Sequence, residues 1–177
     1  YIALYAPTFR NGDRADTYDL DHMKFVHALE AKFGGRWVLL NRYHFKTKAA
    51  RKNNIEQDRI ISATTYPDIQ ELIVAADVGI TDYSSWICDL VLTQKPGFIY
   101  APDLKAYDSE RGFYYPLTET PFPIAETNEQ LAECIRKFDA TVYEQKRQEF
   151  LKARGCKEDG HAAEKIVEII KKQCGLA

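Results

Sequence analysis

Residues 78–90 read VGITDYSSWICDL, an apolar run followed by a polar turn and then a helical pattern. The run 78–81 predicts a buried strand, and residues 84–92 predict the helix after it. Serines at a helix start have two interpretations. Their hydroxyls cap orphan backbone N–H groups, or they help these groups and the helix dipole to hold a phosphate. The turn itself leaves both interpretations open.

The same alternation of apolar run and helical pattern recurs along the chain. Strands are predicted at 1–5, 37–40, 60–63, 78–81 and 97–100, and helices at 21–33, 69–76, 84–92, 131–138, 141–153 and 161–172. Thr127 and Gln130 have the spacing of a capping box. Residues 103–123 are rich in Tyr and Pro and predict an irregular loop. We therefore expect one α/β domain over residues 1–177, a Rossmann-like parallel sheet with helices on both faces.

The composition of the chain excludes several classes of protein. The chain has 177 residues and a net charge of −2, so no global basic field indicates a nucleic-acid partner. No apolar run approaches the roughly 20 residues that span a bilayer. The four cysteines contain no CxxC pair, which predicts reduced thiols in a cytosolic protein, with two disulfides as the alternative. Because the sequence begins inside an apolar run without Met, we expect a piece of a longer protein.

Ligands of open parallel sheets bind beyond the carboxyl ends of the strands, which makes the strand-end residues candidates for a site. These are Thr8, Arg10, Arg42, His44, Thr64, Thr65, the segment 82–85 and the loop 103–111. Arginines, hydroxyls and a helix start on one rim predict a pyrophosphate site, since Arg forms forked bonds to phosphate oxygens. The alternatives are a solvated surface position for Arg10 and a structural role for His44.

Asp89 follows Ser85 by four residues, so both side chains project from one helical face. Asp89 is predicted either to accept a ribose hydroxyl or to orient Ser85 or an arginine. The sequence contains neither GxxxxGK[ST] nor a GxGxxG after the first strand, so the common nucleotide-binding fingerprints are absent.

Five segments, in order, carry a family resemblance: YAPTFR, RYH, YPDIQELIVAADVGITDYSSWICDL, KPGFIYAPDLKAYDSERGFYYPL and EDGHAAEKI. They resemble the carboxyl-terminal half of the CDP-glycerol glycerophosphotransferases, the teichoic-acid polymerases, over nearly the whole chain. The resemblance implies the C-terminal lobe of a GT-B type transferase. It also implies transfer of glycerol phosphate from CDP-glycerol to a polyol-phosphate or lipid-linked acceptor, with release of CMP. The N-terminal lobe, with the acceptor groove and a catalytic base, is expected to be missing.

The resemblance also implies roles for individual residues. His44 is the expected catalytic residue, hydrogen-bonding or protonating the leaving phosphate. The expected substrate-binding residues are Thr8, Arg10, Arg42, Thr65, Asp82, Ser84, Ser85, Asp89, Arg111 and Gly112. We expect no cofactor, and arginine and helix charge in place of a metal, with a magnesium ion at Asp82 and Asp89 as the alternative. The implied location is cytoplasmic, peripheral at the inner face of the cell membrane in the full-length protein.

Two segments depart from the family pattern. YYPL stands where an acidic residue more often follows the aromatic pair, and TETPFPIA replaces a short proline-glycine link. CDP-ribitol or another activated polyol is therefore an alternative donor. Two other classes stay open: a GT-B nucleotide-sugar glycosyltransferase or epimerase lobe, and a noncatalytic nucleotide-binding module.

Overall fold

The computed structural model describes residues 1–10, 19–44 and 58–175. Much of the basic segment that leads to Asn54 lies outside these ranges. Six strands are described: β1 Ile2–Tyr5, β2 Val38–Asn41, β3 Ile60–Ser62, β4 Val78–Thr81, β5 Gly97–Tyr100 and β6 Ile124–Ala125. The helices described are α1 His22–Phe33, α2 Ile69–Ala75, α3 Trp86–Leu92, α4 Leu104–Arg111, α5 Asn128–Arg136, α6 Ala140–Ala153 and α7 Ala162–Cys174.

The strands form one parallel sheet in the order β3-β2-β1-β4-β5-β6. β1 pairs with β2 on one side and with β4 on the other, so the strand order reverses at β1. A crevice opens at such a reversal, beyond the carboxyl ends of the two central strands. The predicted parallel α/β sheet is confirmed, and its topology puts the loops after β1 and β4 side by side.

The centre of the sheet is apolar on both faces, as expected for parallel strands. Every residue of β4 and β5 is buried. Gly79 permits α3 to approach β4 closely, because a Cβ at this position would overlap the side chains of Leu90 and Trp86. Close packing of α3 on β4 fixes the polar turn between them.

The helices cover the sheet in two groups, α1 with α5 and α2 with α3. The capping signals are confirmed at α5, where the backbone N–H of Gln130 donates to Thr127 Oγ1 at 3.2 Å and Gln130 Oε1 accepts from the backbone N–H of Glu126 at 2.8 Å. Within the described ranges, no helix is long and apolar enough to cross a membrane. All four cysteines are free thiols.

Two sequence predictions need correction, and one strand was missed. Residues 104–111 form α4 instead of an irregular loop, and Gly112, with a φ of 67°, ends it by donating to the Asp108 carbonyl. The helix predicted to begin at Ser84 begins at Trp86. The two-residue strand β6 was not predicted. Periodicity could not identify α4 because none of its residues is buried.

Candidate functional site

Asp82 joins the two loops that border the crevice. It is 3 % exposed, and its Oδ1 accepts hydrogen bonds from the backbone N–H of Thr8 at 2.8 Å and of Tyr83 at 2.5 Å. Its Oδ2 accepts a bond from Arg10 Nη2 at 2.7 Å. Both carboxylate oxygens of Asp82 therefore have protein partners, and the substrate contacts predicted for Asp82 and Thr8 stay predictions.

Arg10 is buried, at 5 % exposure, instead of lying on the surface. Its guanidinium forks onto Asp103, with Nε 2.9 Å from Oδ2 and Nη2 3.2 Å from Oδ1, while Nη1 donates to the Thr8 carbonyl at 2.9 Å. The guanidinium carbon lies 4.8 Å from the ring centre of Tyr83 and 4.9 Å from that of Tyr107. The surface alternative for Arg10 is wrong.

Pairing favours the charged forms of Arg10 and Asp103. Burial opposes the charged form of Arg10, but the hydrogen bonds and charges of Asp103 and Asp82 outweigh burial and raise the pKa of Arg10. Burial likewise opposes the charged form of Asp103, yet bonds from Arg10 and Tyr83 lower the pKa of Asp103. Burial, followed by the bond to Asp103, raises the pKa of Tyr83. By formal charge, one arginine and two aspartates carry a net charge of −1.

Ser84 and Ser85 lie at the mouth of a cavity of about 250 Å³. Ser85 is the residue before α3, but its φ of −64° and ψ of −17° are helical, and its side chain makes no cap hydrogen bond. An N-cap residue ordinarily has extended dihedrals, which direct its hydroxyl back to the N–H groups. The capping interpretation therefore does not apply to Ser85, whose side chain is exposed.

Aromatic side chains form a large part of the wall of this cavity. Its lining includes Tyr83, Cys88, Tyr107, Gly112, Phe113, Tyr115, Phe122 and Phe150. Gly112 is thus on the same cavity as the serine pair. Arg111 is exposed at the end of α4, with its guanidinium carbon 5.8 Å from the Tyr107 ring centre. Asp89 is exposed on α3, where its Oδ2 accepts a long bond of 3.5 Å from Gln70 Nε2.

The ends of β2 and β3 hold a second group of predicted residues. Arg42 is half-buried and donates through Nη2 to the Tyr66 carbonyl at 3.3 Å. Thr65 and His44 are exposed, and the His44 ring lies 4.8 Å from that of Phe9. Among the described residues, three buried side-chain atoms of this group have no hydrogen-bond partner, namely Asn41 Oδ1, Arg42 Nε and Thr64 Oγ1. Unpaired buried polar atoms are uncommon and need an explanation.

Sequence reasoning did not single out Asp103 and Tyr107. Asp103 belonged to the predicted loop after β5, and the signal that could have identified it is a carboxylate three residues after a strand that neighbours β4. Tyr107 gave no signal, because its contact with Arg10 depends on α4, which was not predicted. Among the residues the structure describes, no group of three His, Cys, Asp or Glu side chains is placed to hold a metal ion.

The family assignment comes from comparison with known proteins. Residues 1–172 match the family model described as CDP-glycerol:poly(glycerophosphate) glycerophosphotransferase. The chain belongs to this family. It is 30 % identical over 175 residues to a teichoic acid glycerol-phosphate transferase of Staphylococcus aureus (strain NCTC 8325 / PS 47), covering 96 % of this chain and 44 % of the relative. The relatives are named as teichoic acid transferases, polymerases and primases, which supports the predicted transferase class.

Two further similarities concern the donor and the fold. A teichoic acid ribitol-phosphate primase of Bacillus spizizenii (strain ATCC 23059 / NRRL B-14472 / W23) is 31 % identical over 171 residues, 94 % of this chain and 43 % of the relative. A structure of the wall teichoic acid polymerase TagF with CDPG, from a 15 minute soak, has a TM-score of 0.70 and 29 % identity, covering 97 % of this chain and 40 % of TagF. The chain thus spans less than half the length of these proteins, and its predicted GT-B type fold class is confirmed.

Proposed function

We propose that this chain binds a CDP-linked polyol as one lobe of a polyol-phosphate transferase. The donor is CDP-glycerol or CDP-ribitol, the acceptor is a polyol phosphate or a lipid-linked polyol, and CMP is released. Family membership supports the transfer reaction, and the relatives include both glycerol-phosphate and ribitol-phosphate enzymes. A lipid-linked acceptor would bring the full-length protein to the inner membrane face.

The observation that carries the proposal is that the Ser85 hydroxyl is available to a ligand. Ser85 is exposed beside the cavity at the carboxyl end of β4, and its hydroxyl is not used to cap α3. A hydroxyl that is not needed by the helix can donate to a ligand oxygen. A hydrogen bond to a charged oxygen contributes roughly 1.5–3 kcal/mol, so the pair would hold the diphosphate at the point where the strand order reverses.

Binding a diphosphate here requires positive charge from outside the buried cluster. Arg10, Asp82 and Asp103 together carry −1, so they do not neutralise an anion. The exposed Arg111 and the half-buried Arg42 are the arginines of the predicted set that reach the rim. Phosphoryl transfer depends chiefly on positioning and on neutralising the equatorial and leaving oxygens. Arg42 and Arg111 would supply that charge from opposite sides of the crevice.

His44 is the proposed catalytic residue of this lobe. The acceptor hydroxyl attacks the phosphorus that bears the polyol, and the bond from this phosphorus to the CMP oxygen breaks. His44 follows β2 and is exposed at the same edge of the sheet as Arg42. From there it would hydrogen-bond or protonate the phosphate of departing CMP.

The first experiment compares nucleotides by calorimetry and thermal shift. CDP-glycerol and CDP should stabilise the chain more than UDP or GDP, and at about 100 times the dissociation constant by roughly 2.7 kcal/mol. CMP, which lacks the second phosphate, should bind more weakly than CDP. Equal shifts with CDP, UDP and GDP would refute the cytidine assignment, and preference for UDP or GDP would indicate a nucleotide-sugar glycosyltransferase or epimerase.

The second experiment measures the role of the serine pair. Ser85→Ala should weaken CDP binding by about tenfold, in line with one lost charge-assisted bond, and should leave the free energy of unfolding nearly unchanged. Thr141→Ala is the matched control, because Thr141 is an exposed residue at the start of α6. Unchanged CDP affinity in both Ser84→Ala and Ser85→Ala would show that the serines do not contact the diphosphate.

The third experiment concerns Arg111. If its guanidinium forks onto the diphosphate, Arg111→Lys should weaken CDP binding although the charge is kept, because lysine has no planar fork. Arg36→Lys provides the control, since Arg36 is an exposed arginine before β2, at the opposite edge of the sheet from the strand ends. Wild-type affinity in Arg111→Lys would make Arg111 an ordinary surface residue.

A further inference from the structure

We propose that Arg10 is a positioning residue that does not contact the phosphates. It holds α4 and the loop of residues 82–85, the serine loop, in the geometry that binds the ligand. This inference deepens the proposed function and rests on it for the binding measurements. It replaces the direct phosphate contact expected of Arg10 from the sequence. The argument depends on three kinds of contact: the fork onto Asp103, the bond to Asp82 and the stacking on two tyrosines.

The fork connects loops that are far apart in the chain. Arg10 follows β1, and Asp103 follows β5, 93 residues later. Nε and Nη2 of Arg10 lie 2.9 and 3.2 Å from the two oxygens of Asp103. Nη2 also lies 2.7 Å from Asp82, which follows β4. One guanidinium thus joins the carboxyl ends of three strands.

Asp82 transmits this restraint to the serines. Its carboxylate accepts the backbone N–H of Tyr83 at 2.5 Å, one residue before Ser84. The same oxygen accepts the N–H of Thr8. If Arg10 no longer holds the second oxygen, the carboxylate can rotate, and the Tyr83 bond that orients the serine loop weakens. Arg10 therefore acts on Ser84 through Asp82.

Asp103 transmits the restraint to α4. It occupies the cap position of this helix, where an aspartate usually accepts from backbone N–H groups, but its side chain makes no cap bond. The carboxylate instead accepts from Arg10 and from the Tyr83 hydroxyl, at 2.9 Å to the latter. The position of α4, which leads to Gly112 on the cavity wall, is set by these side-chain bonds.

Stacking requires an arginine at this position. The rings of Tyr83 and Tyr107 are stacked with their centres 3.9 Å apart, and the guanidinium carbon of Arg10 lies within 5 Å of both. A planar guanidinium can fork and stack at once, whereas a lysine ammonium keeps the charge but loses both geometries. The substitution Arg10→Lys therefore separates geometry from charge.

The test begins with the ligand-free chain. Amide hydrogen exchange at Tyr83 should be faster in Arg10→Lys than in wild type, at a temperature where both are folded. The matched control is Arg147→Lys. Arg147 is 8 % exposed, forks onto Glu144 on α6 and donates to the Val91 carbonyl near the C-terminal end of α3. Its substitution therefore perturbs a buried arginine at the end of α3 that lies away from Tyr83, and it should leave exchange at Tyr83 unchanged. Unchanged exchange at Tyr83 in Arg10→Lys would overturn the positioning role.

Calorimetry with CDP then separates positioning from direct contact. Arg10→Lys and Asp103→Asn should each weaken CDP binding by about tenfold, and the double variant should lose little more, because both remove one linkage. Arg147→Lys should bind normally. A direct phosphate contact predicts the opposite for Asp103→Asn, where affinity stays or rises because a negative charge is lost. Should wild type fail to bind CDP, the proposed function fails, and the exchange result alone decides the role of Arg10.

Discussion

The buried polar groups on the two sides of the crevice differ in their hydrogen bonding. In the loops after β1, β4 and β5, Arg10, Asp82 and Asp103 are paired with one another, and the buried hydroxyl of Thr81 donates to the Ala6 carbonyl at 2.7 Å. At the ends of β2 and β3, one buried atom each of Asn41, Arg42 and Thr64 has no hydrogen-bond partner within the described residues. We call these two groups of residues the paired side and the unpaired side.

This difference predicts which side of the crevice contributes mainly to stability and which mainly to ligand binding. A fully paired polar network is rigid, because each group is restrained by the others. An unpaired buried group costs stability in the free protein and regains it when a ligand supplies the partner. We therefore expect substitutions on the paired side to affect folding first and substitutions on the unpaired side to affect binding first.

The largest effect is expected for Asp82→Ala. Removal of this carboxylate leaves the buried Arg10 without one of its two counter-charges and the N–H groups of Thr8 and Tyr83 without their acceptor. Breaking a buried ion pair costs about 3–5 kcal/mol. Urea denaturation should report a loss of that size, whereas the exposed Asp89→Ala should change the free energy of unfolding by less than about 0.5 kcal/mol.

A smaller effect is expected for Thr81→Val, which keeps the shape and removes the hydroxyl. The Ala6 carbonyl that loses this donor also accepts from Trp86 Nε1 at 2.7 Å, so it stays paired. The cost should be about 1 kcal/mol, the net value of one hydrogen bond. A loss above about 3 kcal/mol in denaturation would mean that the hydroxyl supports more than this bond.

Thr64→Val is the corresponding change on the unpaired side. In the part of the chain that the structure describes, its hydroxyl has no partner to lose, so the free energy of unfolding should stay constant or rise by up to about 1 kcal/mol. CDP affinity should fall if the nucleotide supplies the missing partner. Destabilisation similar to that of Thr81→Val would abolish the contrast between the two sides.

The smallest effect is expected in the pH dependence, because Asp103 is partly exposed. Its pKa is lowered from the usual 3.8 by Arg10 and Tyr83, although burial opposes this. A carboxyl with a lowered folded pKa stabilises the protein above its unfolded pKa and loses that contribution as the pH falls through the folded value. Stability should therefore decline below about pH 4, and less steeply in Asp103→Asn. Parallel pH curves for the two proteins would contradict this role of Asp103.

Local patterns predicted five of the six described strands, most helices and the positions of the candidate residues at strand ends. The apolar runs of β1, β4 and β5 are unambiguous, and the capping signal at Thr127 is local. The helix α4 could not be predicted in this way. It buries no residue and has no apolar period, and the residue before it, Asp103, pairs with Arg10, which is 93 residues away in the chain.

The sequence alone determined which residues lie at strand ends, because the spacing of apolar residues that marks strands and helices depends only on neighbouring residues. It also carried the family resemblance that the comparisons confirmed. Tertiary structure alone decided that Arg10 is buried between two aspartates and that Ser85 does not cap α3. Both outcomes depend on strand order and backbone dihedrals, which set distances between residues that the sequence separates widely and which no local pattern encodes.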